Sequence, residues 1–279
     1  MNPSSPGSVR DRYERHCAEV VHQTGLLRRH LSGADPASPV PSCPGWDLGR
    51  LLRHLGATHR WAGTVVRTRA TRPVPDTEVD HPPERPGEGA AELGAWLAEG
   101  AERLAGALRT AGPDAPMWTA GPGGTSGFWA RRMAYETVVH RADAALTVGA
   151  EFTVGAEVAL DALDEWMEFG VLPEAVDPGS GKPGLRAPGR VLRFHATDAP
   201  AHTPGEWLID LTGAAATWRR TARPAGAGAD AVASARGPLA DLLLFVYRRP
   251  VPAGRVEVTG DAPLLDRWRR RAGFWLEAD

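Results

Sequence analysis

The sequence predicts an α+β fold in two domains, a four-helix bundle followed by a small α/β domain. Three observations carry this. Up to about residue 170, apolar residues recur at helical spacing. A Pro- and Gly-rich stretch, residues 171–188, then breaks the pattern. Beyond it, short alternating or β-branched runs are interleaved with helical segments. The expected domains are 1–170 and 189–279, joined by a linker over 171–188. A chain of 279 residues is long enough for two cores.

The first helix is predicted over 8–32, with Tyr13, Cys17, Val20, Leu27 and Leu31 on its apolar stripe. Cys17 on that stripe reads as a small core residue. The Cys43-Pro44-Gly45-Trp46 turn leads into the second helix, from about Leu48 to Arg69. Asp47 is its N-cap, and Trp46 folds onto the following turn. Residues 71–88 form a long loop with Arg67, Arg69 and Arg72 at its start, a length that points to function. His81, within it, belongs to no constellation. The third helix spans about 88–111 and ends at Gly112-Pro113. The following loop carries Gly121-Pro122-Gly123-Gly124, which lacks the Lys-Ser/Thr end of a P-loop and receives no phosphate role. Helices over about 127–148 and 155–169 follow. In the second domain, 190–197, 206–212, 215–220 and 255–259 read as strands, and 237–248 and 262–275 as helices, the first with Pro238 at N1.

Composition excludes several classes. The formal charge of −2 and the mixed charge pattern argue against nucleic acid or an anionic membrane as partner. No apolar run is long enough to span a bilayer, and the first ten residues have no apolar segment that reads as a signal peptide, so a cytoplasmic location is expected. Cys17 and Cys43 form neither a zinc ribbon nor a redox motif. Lys182 is the only lysine among 32 cationic residues, so an anion site in this chain would be built from arginine.

The chemistry centres on residues 129–143. Glu136 and His140 lie one turn apart on one helical face, flanked by Trp129, Met133 and Val139. Burial of either group is costly unless it is paired or bound to a metal. Their spacing suits two ligands from one helix and equally suits a plain hydrogen-bonded pair. His54 on the second helix would complete a His/Glu/His set, the ligand number of catalytic zinc sites. His54 and the neighbouring His59 are also readable as satisfied core histidines. Asp143 either orients a ligand or pairs with an arginine such as Arg141. Trp61, Trp129 and Met133 would wall such a site or simply belong to the core.

Three further segments carry a resemblance: Cys43-Pro44-Gly45-Trp46, Leu51-Leu52-Arg53-His54-Leu55-Gly56, and Glu136-Thr137-Val138-Val139-His140-Arg141-Ala142-Asp143. With residues 241–249 and 255–261 of the second domain, they resemble the mycothiol-dependent maleylpyruvate isomerase family, within the wider DinB-like group of four-helix metalloproteins. The likeness runs over about 8–276. It departs from the family in one place, where Asp47 directly follows Trp46. The resemblance implies a DinB-like N-terminal bundle and a sterol-carrier-like α/β C-terminal domain. It implies that His54, Glu136 and His140 hold one divalent metal, usually zinc, that mycothiol is the thiol cosubstrate, and that the source is actinobacterial. It implies cis–trans isomerisation of a maleylpyruvate-type acid, or a related thiol S-transferase reaction, on a small-molecule substrate. Arg72 and Arg249 are the best matches for arginines that hold substrate carboxylates, with Arg69 and Arg248 as alternatives. A competing reading is a non-catalytic binding protein in which a metal only braces the bundle.

Overall fold

Ser8 begins the first helix. Its side chain accepts from the Asp11 N–H, and the Asp11 carboxylate accepts from the Ser8 N–H, a reciprocal cap at the start of α1 (Val9–His30). The Asp47 carboxylate accepts from the Arg50 N–H and caps α2 (Leu48–Thr68), as expected. Two more helices follow, α3 (Ala90–Ala111) and α4 (Ser126–Thr147). The computed structural model describes residues 8–75, 88–177, 179, 184–221 and 231–273. His81, most of the expected 71–88 loop and the last two residues of the expected 262–275 helix lie outside these. The chain divides into two units, 1–152 and 153–279.

In the first unit, helix directions follow from the contacts. The Tyr13 hydroxyl near the start of α1 donates to the Leu108 carbonyl near the end of α3, at 2.5 Å. These two helices are therefore antiparallel. A Cβ on Gly56 would sit 2.0 Å from the Trp96 ring, and one on Gly63 would sit 3.9 Å from the Leu104 Cα, so α2 and α3 run the same way. Parallel neighbours need a connection that regains the length of a helix, roughly 30 Å for 20 residues. That is the physical reason for the long segment between Thr68 and Ala90. α4 runs against α2, with Glu136 near His54 and Trp129 near Trp61.

α4 is the central helix. Every residue from Arg132 to Ala145 is buried. It has no polar side on which to place Arg132, Glu136, His140, Arg141 and Asp143, so each must find a partner inside the unit.

The second unit begins with α5 (Ala156–Gly170) and the single turn α6 (Pro173–Val176). Five strands form one sheet: β1 (Val191–Ala196), β2 (Glu206–Asp210), β3 (Thr217–Thr221), β4 (Ala233–Gly237) and β5 (Glu257–Gly260). Their order is β3-β2-β1-β4-β5. Only the β1–β4 pairing is parallel. Helices α7 (Leu239–Val246) and α8 (Ala262–Ala272) complete the unit. Leu192, Phe194, Trp207, Ile209, Ala233 and Ala235 are buried on one face of the sheet, and Phe194 packs on Trp268 of α8, ring centroids 5.1 Å apart.

Two features differ from expectation. α5 was expected to belong with the bundle, with the boundary at 171–188. It groups instead with the second unit, where Trp166 lies 4.0 Å from the Tyr247 ring and the Gly170 carbonyl accepts from Trp268 Nε1 at 2.8 Å. Helical spacing shows that a face is buried and does not say against what. β4 was not expected at all. Its sequence, Ala-Ser-Ala-Arg-Gly, has few strand formers, and it is held by neighbours on both sides. Gly237 is its last residue, and a Cβ there would meet the Arg255 carbonyl at 2.5 Å.

Candidate metal centre

α2 and α4 bring three donor groups together. His54 Nε2 is 3.7 Å from Glu136 Oε1, and His140 Nε2 donates to the same oxygen at 2.9 Å. One nitrogen or oxygen from each of His54, Glu136 and His140 lies within 4.8 Å of the others. The two imidazoles meet edge to face, with ring centroids 5.1 Å apart. Two nitrogens and one carboxylate oxygen converging from two helices are the donor set of a zinc site with room for a further ligand. The residues therefore fit a divalent cation.

The surrounding groups hold these three in place. Arg132, one turn before Glu136, donates to its other oxygen at 3.1 Å. Asp143 accepts from His140 Nδ1 at 2.9 Å, which turns Nε2 toward Glu136. Asp143 is itself fixed by the Ser42 hydroxyl at 2.5 Å and by the Cys43 thiol at 3.6 Å. Trp46 packs edge to face on His54, centroids 4.9 Å apart. The turn before α2 thus steadies one histidine through a ring contact and the other through Asp143.

Burial alone would raise the Glu136 carboxyl. The charge of His140 and its hydrogen bond, the nearby His54 imidazole and the Arg132 guanidinium outweigh it and hold the group well below its ordinary value. Burial likewise disfavours the His140 imidazolium. Glu136 and Asp143, each accepting one of its N–H groups, lift it to about 9.

His59 behaves differently. Fully buried, it is pushed down to about 3 and stays neutral. The Thr137 hydroxyl spends its proton on the Met133 carbonyl at 2.7 Å, so His59 Nε2–H donates to Thr137 Oγ1 at 2.9 Å. It is a core histidine and lies outside the donor set. Cys17 is likewise buried, and burial pushes its thiol up to about 12.

Of the other residues singled out in the sequence, Trp61 and Trp129 meet edge to face with ring centroids 5.2 Å apart, Trp118 packs against both and Phe128 against Trp129. Trp61 and Trp129 are seven residues from His54 and Glu136 along their helices, roughly 10 Å. They form a cluster beside the centre and are not its immediate wall. Arg72 is exposed just beyond α2, where the chain turns back and the Val74 carbonyl accepts from Trp61 Nε1. Arg249 follows α7 in the second unit, and its guanidinium donates to the Tyr247 carbonyl at 3.0 Å. Arg141, weighed as a partner of Asp143, lies over the Phe152 ring at 4.4 Å. Ser42 was missed by sequence reasoning. Its only signal was its place next to the Cys-Pro-Gly-Trp turn.

Residues 17–145 match the family model described as the mycothiol maleylpyruvate isomerase N-terminal domain. The match lies within the N-terminal unit. Helices α1 to α4 and all three donor residues lie in or overlap the matched span. Two solved structures share the fold along nearly the whole chain. One is a mycothiol-dependent maleylpyruvate isomerase and the other a histidine-to-alanine mutant of it, with TM-scores of 0.53 and 0.56. Each is 15% identical, with 88% of this chain and 92% of the other covered. They bear out the α+β two-domain architecture. No curated protein matches the chain at a significant level. Among the described residues, no helix is long and apolar enough to cross a membrane.

Proposed function

We propose that this protein is a metal-dependent enzyme that uses mycothiol to isomerise a maleylpyruvate-type unsaturated acid from cis to trans, or to form a related thiol conjugate. The observation that carries the reading is the convergence of His54, Glu136 and His140 within 4.8 Å in an isomerase-family domain. A divalent cation, zinc by the donor chemistry, would supply a Lewis acid beside which a thiol is held as thiolate at neutral pH. Glu136 contributes the negative charge, and Arg132 saturates its second oxygen so that only one faces the other donors. Asp143 fixes the tautomer of His140, which must give up its Nε2 proton to become a ligand.

A thiolate adds to the double bond conjugated with the substrate carbonyl. The former double bond rotates as a single bond, and loss of the thiolate leaves the trans acid and the thiol unchanged. A conjugate that does not eliminate would make the protein a thiol S-transferase. Arg72 and Arg249 are the proposed carboxylate partners, suited to bidentate binding.

The test incubates the zinc-loaded full chain with maleylpyruvate and either mycothiol or glutathione. Isomerisation is followed by loss of enol absorbance and conjugates by mass. Turnover or conjugation with mycothiol alone is expected, and inertness with every thiol would overturn the proposal.

A further inference from the structure

A second feature of the N-terminal unit lies on another side of α2. His54 and His59 are five residues apart, so their side chains leave the helix about 140° apart. Beside His59, between α2 and α3, lies a cleft of about 680 Å³ whose lining includes none of the three donor residues. Its size falls within the range of small-molecule sites.

The sequence makes this cleft in two ways. Small residues on the facing helices, Gly63 on α2 and Ala107 on α3, line the space between them, and Val66 and Leu104 give it an apolar lining. The rest of the lining is cationic. Arg60, Arg67, Arg69 and Arg103 border the cleft, and no acidic residue does. Arg60 is held in place. It donates to the Gly56 and Trp96 carbonyls and lies over the Trp96 ring at 3.8 Å. A Cβ on Gly100 would come within 2.5 Å of its guanidinium, so that glycine makes room for the arginine. Glu99 pairs with Arg60 and Arg103 from outside the cleft. Arg67 and Arg69 are exposed, and among the described residues neither guanidinium has a partner. Arg69 also sits at φ 48°, the left-handed position that closes α2 and favours glycine. An arginine there strains the backbone and places a fourth cation at the mouth of the cleft.

An apolar floor under several guanidinium groups matches an amphipathic anion. Paired N–H groups take the charged oxygens, and the hydrocarbon body leaves water. We propose that the α2–α3 cleft binds a small organic oxyanion, a carboxylate or phosphate ester with an apolar or aromatic body, at a site separate from the metal centre. The inference does not depend on the metal-enzyme reading.

Calorimetric titration of the full chain tests it, with phenylacetate and phenyl phosphate as probes and benzyl alcohol as the neutral control. At least one anion should bind, more weakly as salt is raised, and the alcohol should not. Whichever anion binds identifies the head group. The Arg67→Ala/Arg69→Ala variant should bind at least about tenfold more weakly, by loss of charge-assisted hydrogen bonds. Both side chains are exposed, and an unchanged melting curve would verify folding. His54→Ala should bind as well as the unaltered chain. The proposal is overturned if neither anion binds, if the alcohol binds equally, if the arginine variant keeps full affinity, or if His54→Ala loses it. The last result would place the anion at the metal centre.

Discussion

His140 is the residue on which the candidate centre turns. It lies between two carboxylates, so without a metal it holds two protons, and with one it must hold a single proton on Nδ1. Its lift from an ordinary value near 6.5 to about 9 stabilises the metal-free fold by roughly 3 kcal/mol. The sign follows from the direction. The contribution is complete below about pH 6.5 and is lost as pH rises through about 9. The melting temperature of metal-stripped protein should therefore fall across that window. Apparent zinc affinity should rise about tenfold per pH unit until about pH 9, because the ligand form is the deprotonated one. A competitive chelator titration at several pH values checks this, and a flat profile would remove His140 from the site. Substitution gives an independent measure. His54→Ala and His140→Ala should each lose most bound metal by elemental analysis, whereas His59→Ala, a change at a hydrogen-bonded core histidine, should keep it. Equal retention in all three would sink the donor assignment. Ser42→Ala leaves the Asp143 oxygen short of a donor and should weaken metal binding about 10- to 100-fold, with rescue by Ser42→Thr. Glu136 and His140 were legible in the sequence because one helix carries both. Ser42 was not, because its partner lies 101 residues away.

At the scale of the element, α4 departs furthest from what pattern reading expects. An amphipathic stripe marks a helix with one buried face. α4 is buried along its whole middle and carries five acidic, basic or histidine residues there, which only a central position in the bundle explains. α2 gave the opposite case, since its cap, its apolar face and its length were all readable before the structure. α5 shows where periodicity stops. Its last residue lies directly against a tryptophan that is fully buried, and a Cβ on Gly170 would come within 2.2 Å of the Trp268 ring. Gly170→Ala should therefore destabilise the protein by about 2 kcal/mol through overpacking, seen as a lower urea midpoint with an unchanged slope. No shift in that midpoint would mean that α5 does not pack on α8.

For the molecule as a whole, the consequential point is where one unit ends. The Pro/Gly-rich stretch looked like the boundary because composition changes there. The folded units meet eighteen residues or more before it, between Phe152 and Thr153. A fragment of residues 153–279 should therefore fold cooperatively, as followed by near-ultraviolet circular dichroism and thermal melting. A fragment of 189–279, lacking α5, should not, since it leaves Tyr247 and Trp268 without the residues that cover them. Cooperative melting of the shorter fragment would restore the boundary read from composition. The length of the connection between α2 and α3 acquired its reason only from helix direction, because parallel neighbours cannot be joined by a short turn.

The order of the amino acids by itself determined the helices of the first unit, the α+β class and the pairing of Glu136 with His140 on one face. These are local matters of spacing, capping and composition, which need no partner to be read. Tertiary structure alone decided that α5 joins the sheet unit, that β4 exists, that Ser42 secures Asp143 and that four arginines border one cleft. Each depends on groups far apart in sequence coming within a few ångströms, and the chain's local preferences carry no record of such distances.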